Sequence, residues 1–446
     1  MQNRKCPGIC PLIVLFHSIS VLNILVFAAH FLRTGNPGAT IAVLLFWPLM
    51  SIRQRWMKTV LQLGFTFATL FWLKTTLEMI HFRMATDEAW TRMAIIMLAV
   101  VCVCGASALL LNHPIIAARF SLQANGAVWS TAAFMFTFGL LAIVQLKVSR
   151  PMLLLERFVP GGGWIEVTAL SVYSAIIVQK MRHPRDARIW RKRIWLLFAA
   201  VFFGQFMVGV LGIDQFLMSG KLHVPVPAVI LAGPVFRGEG FFMPILLAVT
   251  LLLVGPSWCS HLCYSGGFDL LAASGRKRPM AHRKWFGTLR IALLVATVSV
   301  ALLLRATGVS GVAAAMVAVA FGAVGIGVMM SGSRKMGTMI HCTAICPIGL
   351  VAVVAGKLSP FRMKFTAGCD GCGACGLSCP MGALEEHHIR TRSVGINCTL
   401  CGDCLSKCRS SGLAYHFARW HSPRVRMVFL VLVISLHAVF LGVARV

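Results

Sequence analysis

Eight cysteines late in this chain fall into two runs of identical spacing. Cys369, Cys372, Cys375 and Cys379 form the first, and Cys398, Cys401, Cys404 and Cys408 the second. Both read C-x2-C-x2-C-x3-C. A cubane [4Fe-4S] cluster needs four thiolates around one small object, three from a tight loop and the fourth from elsewhere. In paired runs of this kind the fourth cysteine serves the other cluster. The spacing therefore assigns Cys369, Cys372, Cys375 and Cys408 to cluster 1, and Cys398, Cys401, Cys404 and Cys379 to cluster 2. Gly371, Gly373 and Ala374 lie between the first three thiols. Such small residues let the backbone wrap closely and turn N–H groups toward sulfur. Pro380 follows Cys379, whereas Arg409 stands at the matching place after Cys408, a departure that leaves ligation unharmed. Structural zinc fits less well, because all-cysteine zinc sites use two C-x2-C pairs separated by a long gap.

Three further pairs share C-x3-C spacing: Cys6 and Cys10, Cys259 and Cys263, and Cys342 and Cys346. Residues i and i+4 share one face of a helix. Each pair is therefore a candidate redox dithiol, or a set of metal ligands, weighed against ordinary buried cysteines at helix ends. The plain reading is stronger for Cys6 and Cys10. Cys102 and Cys104, two apart in an apolar stretch, read as core residues.

The elements that must position these thiols are membrane helices. The chain has 446 residues, of which 58% are hydrophobic and 12% charged. A soluble domain is about 25% charged. Apolar runs near 11–31, 36–52, 59–79, 93–111, 127–146, 163–179, 194–213, 241–257, 288–305, 310–330 and 426–444 each approach the roughly 17–25 residues a bilayer requires. The first run is long enough to remain as a span rather than a cleaved signal. The expected fold is an all-α polytopic membrane protein of about eleven transmembrane helices, with a small α+β ferredoxin domain of two [4Fe-4S] clusters on the cytoplasmic face. The expected divisions are a six-span region over 1–190, a four-span core over 191–360, the cluster domain over 361–420 and a last helix over 421–446.

Formal net charge is +29, from 42 Lys and Arg against 13 Asp and Glu. The basic residues sit between apolar runs. That pattern excludes a nucleic-acid-binding face and points to membrane orientation and anionic lipid, with docking of an acidic redox partner as the sharper alternative. Lys180 to Arg193 and Arg276 to Lys284 are the heaviest basic loops. The positive-inside rule puts both in the cytoplasm, together with the N-terminus, the cluster domain and the C-x3-C pairs; the C-terminus falls outside. The reducing side disfavours structural disulfides. The segment 222–240, with three prolines, reads as a broken outer loop, and 340–359 as a short apolar stretch at or re-entering the inner interface.

Over 194–417 the chain runs span, span, C-x3-C, basic loop, span, span, C-x3-C-Pro, then the twin runs. This order resembles the NapH and NosR type of membrane iron–sulfur proteins. Tyr264 replaces the proline expected after Cys263. The resemblance implies a bacterial inner-membrane relay that moves electrons from the quinol pool, or a cytoplasmic donor, through two clusters to a partner reductase. It matches Cys259, Cys263, Cys342 and Cys346 to the family's membrane-edge cysteines. A copper-reducing assembly protein and a membrane redox sensor are the competing readings.

Weaker candidates complete the survey. His17 and His30 have near-haem spacing but only His437 as an outer partner, and the Gly38-Ala39-Thr40 stretch carries too little of a flavin-attachment motif; haem and FMN are disfavoured. Quinol oxidation needs a proton acceptor, for which Glu166, Asp214, His223 and Glu239 are candidates on the outer side. None is distinguished by the sequence.

Overall fold

The computed structural model describes residues 11–52, 55–120, 125–148, 151–216, 224–276 and 279–443. The chain is mostly helical and divides into two compact units, Met1–Thr131 and Ala132–Val446. Among the described residues, nine helices are long and apolar enough to cross a membrane. Their outward faces are apolar as well: Leu63, Phe67 and Leu70 on one helix and Val312 and Met316 on another are all exposed. A helix that is apolar all round and still exposes that surface is built for hydrocarbon, not water.

Two of the eleven anticipated runs fall short. Residues 37–49 form two short helices, Pro37–Leu44 and Phe46–Leu49. The helix Gly163–Lys180 is long enough but carries Glu166, Ser171, Ser174, Gln179 and Lys180. Two of its polar residues face inward: Ser171 and Ser174 are fully buried, and Thr137 donates to Ser174 at 2.9 Å. A side chain satisfied inside the bundle lowers average hydropathy without exposing polarity to lipid.

In the first unit, Phe16, Ile24, Met57, Leu61 and Phe65 share one core. Cys104 packs in a neighbouring core with Phe27, Ala68 and Trp72 and donates to Asn23 Oδ1 at 3.4 Å. Cys102 is exposed on the same helix. Asn36 caps Pro37–Leu44 through Ala39 N, so Gly38 to Thr40 are the first turn of a helix.

The second unit carries the cysteines. The anticipated loop over 222–240 contains a helix, Val229–Arg237, which tolerates Pro234 near its end and stops at Gly238 in the left-handed region, φ 77°. Residues 340–359 fold as a wide turn, His341–Ile345, followed by the helix Pro347–Ala355. Strands β1 (Phe361–Phe365), β2 (Leu413–Phe417) and β3 (Trp420–His421) form an antiparallel sheet in that order. Phe361 pairs with Phe417 and Phe365 with Leu413. Phe361, Met363, Leu413 and Tyr415 point inward, and Phe361 and Tyr415 pack on Phe429 of the closing helix Pro423–Val443. Between β1 and β2 the chain is chiefly loop, with the five-residue helix Glu386–Arg390. The segment is thus a loop cage on a small sheet rather than a balanced α+β domain, because the cysteine spacing demands tight loops.

Candidate functional site

The two cysteine runs enclose two separate cavities. Cys369, Cys372, Cys375 and Cys408 line one of about 280 Å³. Cys379, Cys398, Cys401 and Cys404 line the other, of about 340 Å³. Each wall therefore takes three thiols from one run and the fourth from the other, the crossed arrangement the spacing anticipates. Gly371, Gly373 and Gly402 sit at φ of 74°, 74° and 76°, where a side chain is strained. Backbone N–H groups reach the sulfurs: Ala383 N donates to Cys379 Sγ at 3.3 Å, and Gly412 N to Cys408 Sγ at 3.1 Å.

Burial pushes the Cys379, Cys398 and Cys401 thiols up to about 12. Thiols so disposed become thiolates only against a cation, which is what bound iron provides. Among the described residues no three His, Cys, Asp or Glu side chains converge tightly enough for a single metal ion. Four thiols lining one cavity is what a cubane cluster needs.

The second cavity is docked on the helical part of the unit. Ser260 Oγ donates to Thr399 O at 2.9 Å, and Met339 N to Pro380 O at 2.9 Å. Arg290 Nη1 donates to Asn397 Oδ1 at 3.1 Å, one residue before Cys398. Arg191 meets Asp403 in a fork, Nε to Oδ1 at 2.9 Å and Nη2 to Oδ2 at 2.6 Å, and also donates to Ser260 O at 3.1 Å. Asp403 precedes Cys404. The first cavity is walled by the domain's own residues, among them Phe365, Asp370, Ile389 and Leu413. Arg188, Lys192 and Arg276 line a third cavity, of about 630 Å³, that reaches Cys379.

Next to the second cavity lie Cys259, Cys263, Cys342 and Cys346. Cys259, Cys342 and Cys346 are buried, and each of the four interacts electrostatically with the other three. The i,i+4 spacing suggested an α-helical face; the chain instead makes a π-type turn at each pair, Trp258–Leu262 and His341–Ile345. Cys263 N donates to Trp258 O at 3.0 Å and Cys346 N to His341 O at 2.8 Å. Both second cysteines then turn extended, ψ 120° and 116°, and start new helices, Tyr264–Ala273 and Pro347–Ala355. Their thiols accept N–H groups from those helices, Ser265 and Gly266 for Cys263, Ile348 and Gly349 for Cys346. The unit is therefore C-x3-C-x2-G, twice. A Cβ at Gly266 would lie 3.1 Å from Cys259 O, and one at Gly349 2.7 Å from Cys342 O. Tyr264, in place of proline, keeps the same turn and stacks on Phe202 at 4.0 Å.

Residues the sequence did not single out complete this site. Asp269 accepts from Cys342 N at 3.0 Å. Arg290 donates to Cys342 O at 2.9 Å and Cys346 O at 3.4 Å. A charge inside an apolar span is the signal that marks Arg290.

The weaker candidates scatter. Cys6, Cys10 and His223 lie outside the described residues, as does the side chain of Asp214. His17 contacts Arg119; His30 lies among Phe31, Phe71 and Trp72. Glu166 accepts from Leu155 N at 2.9 Å, at the start of the short helix Leu154–Phe158, and Glu239 is exposed. His437, read as an outer-face residue, is buried against Tyr173 at 3.1 Å and the His261 carbonyl at 2.9 Å, on the side of the C-x3-C pairs.

Comparison with known proteins adds one family and one relative. The family described as "4Fe-4S binding domain" matches residues 236–281 and 312–366. A protein of Escherichia coli (strain K12) named as an electron transport protein, YccM, is 35% identical over 68 residues, 15% of this chain and 18% of that protein. The chain thus aligns with less than a fifth of that relative. No solved structure matches. The two stretches similar to the 4Fe-4S binding family contain both C-x3-C pairs and end before the first cysteine of the twin runs.

Proposed function

We propose that this chain is a membrane-bound iron–sulfur electron-transfer protein. In this reading it relays electrons between the quinol pool, or a cytoplasmic donor, and a partner reductase. The observation that carries the reading is the crossed pair of four-cysteine cavities. Cys369, Cys372, Cys375 and Cys408 would hold cluster 1, and Cys379, Cys398, Cys401 and Cys404 cluster 2. Bound there, each [4Fe-4S] cluster supplies one-electron chemistry.

The chain's own residues position and tune. Ala383 N and Gly412 N donate to ligand sulfurs, which favours the reduced state by offsetting negative charge. The guanidinium of Arg191 lies within electrostatic reach of Cys401 and acts in the same direction on cluster 2, offset in part by its partner Asp403. Burial of Cys375, Cys379 and Cys404 keeps water from the sulfurs. The docking contacts all run to the loop of cluster 2, so cluster 2 is the membrane-proximal centre and cluster 1 the distal one. The cavity of Arg188, Lys192 and Arg276 offers a basic approach to Cys379 for an acidic redox partner. The apolar helices, the basic loops and the NapH/NosR-like order support a multi-pass inner-membrane setting with the cluster domain on the cytoplasmic face.

Anaerobically purified full-length protein is expected to hold about eight irons in its two quartets, bleached by dithionite. Near-zero iron with two zincs per chain would sink the reading.

A further inference from the structure

We propose that Cys259, Cys263, Cys342 and Cys346 together ligate a third iron–sulfur cluster, adjacent to cluster 2. Three observations made independently of the twin runs carry this.

The first is convergence. Two pairs about 80 residues apart in sequence are brought within electrostatic reach of one another, every thiol with the other three. As at the twin runs, no single-ion geometry forms among the described residues. Asp269, on the helix that follows Cys263, accepts from Cys342 N at 3.0 Å and ties the two pairs together.

The second is the preparation of the sulfurs for negative charge. Cys263 and Cys346 each stand at the start of a helix, of 10 and 9 residues, and each takes two N–H groups from it. Helix N-termini favour anions, and a thiolate there is a better ligand than a thiol. The device is built twice, by the same C-x3-C-x2-G unit. The glycine at its end admits the close approach of the facing carbonyl or guanidinium.

The third is charge balance. Arg290 is 4% exposed, inside the span Phe286–Ala306. Its hydrogen-bond partners are the neutral oxygens of Cys342, Cys346 and Asn397. A buried cation without a counter-charge is costly. The anions within its electrostatic reach are the sulfurs of Cys259, Cys342 and Cys346. Neutral thiols would leave the guanidinium uncompensated, whereas four thiolates around a cluster carry the net negative charge it needs. On assembly the four thiols release four protons as four iron–sulfur bonds form. A centre of this kind then changes charge by one electron, with no bond made or broken.

The position follows from contacts already described. Ser260, between Cys259 and Cys263, donates to Thr399, between Cys398 and Cys401. Arg290 touches both Cys342 and Asn397. The proposed centre would be the entry or exit point of the relay on the membrane side; only that placement rests on the two-cluster reading.

The test is iron and acid-labile sulfide per chain, with electron paramagnetic resonance after reduction, on full-length protein purified anaerobically in detergent. About ten or twelve irons are expected, for a two-iron or four-iron third cluster added to eight. Cys263→Ser/Cys346→Ser should return the count to about eight, with both signals of the twin runs retained. Cys372→Ser/Cys401→Ser should spare the third signal. About eight irons in the unaltered protein, unchanged in Cys263→Ser/Cys346→Ser, would overturn the inference and leave the two-cluster reading standing. A total of only two or four irons in the unaltered protein, unchanged in Cys372→Ser/Cys401→Ser, would support the third centre and sink the twin-run reading. One zinc per chain lost only in Cys263→Ser/Cys346→Ser would also overturn the cluster. Should that double variant fail to fold, the count on the unaltered protein and on Cys342→Ser decides.

Discussion

Asp403→Asn should loosen the cluster loop from the helical part of the protein, and the size of the effect follows from the geometry. Arg191 and Asp403 are 212 residues apart and meet in a two-pronged fork of 2.9 and 2.6 Å. Their side chains are 1% and 2% exposed, so solvent screening does not discount the pair. Removing one partner of a buried pair leaves the other charge uncompensated and costs about 3–5 kcal/mol. That corresponds to roughly a hundredfold to several-thousandfold loss of the docked population. Arg191→Met/Asp403→Leu removes both charges and should recover much of the loss, because a well-packed apolar pair avoids the desolvation that the ion pair must offset. Hydrogen exchange over 398–408 in detergent, with thermal unfolding followed by visible cluster absorbance, reads the docking directly. Asp403→Asn should speed exchange in that loop and lower its melting temperature, and the double variant should lie closer to the unaltered protein. An Asp403→Asn protein within about 0.5 kcal/mol of the unaltered one, the range of ordinary surface changes, would refute the docking role. So would a double variant worse than either single one.

Other consequences can be checked alongside. Cys375→Ser should cost cluster 1 while cluster 2 and the fold persist, read by iron content and circular dichroism; full retention of both cluster signals would overturn the ligand assignment. Gly349→Ala places a Cβ 2.7 Å from a backbone carbonyl and should destabilise by about 1–3 kcal/mol through overpacking, seen as a lower melting temperature. Tyr415→Phe strands Leu400 O, which now accepts at 2.6 Å, and should cost about 1–3 kcal/mol in the same assay. His282 is held below the usual histidine range, chiefly by burial and against the pull of Glu385. The unfolded chain therefore takes up the proton first, so the contribution of His282 is intact above the ordinary histidine pKa and lost as pH falls through that value. Comparing melting temperatures of the unaltered protein and His282→Gln from pH 7 to 5 should show the unaltered protein losing more.

The legible parts of this protein were the local ones. Cluster spacing is legible because ligation by a tight loop is a property of eleven consecutive residues, and the crossed fourth cysteine follows from the same rule. Membrane character is legible because an apolar run of sufficient length needs no partner to be recognised. Where the reading went astray, the cause was tertiary. His437 seemed to belong to the outer face, yet it lies buried against His261. Cys259 and Cys263 suggested an α-helical face, but a π-type turn sends the second thiol onto the start of the next helix.

The sequence by itself determined that this chain carries two cysteine quartets of [4Fe-4S] spacing amid apolar helices, since both signals are short-range. Only the tertiary structure decided that the two C-x3-C pairs converge, that Arg290 faces their sulfurs, and that Arg191 reaches Asp403. Those contacts join residues tens to hundreds of positions apart, and which buried charge meets which counter-charge is settled by packing, not by spacing.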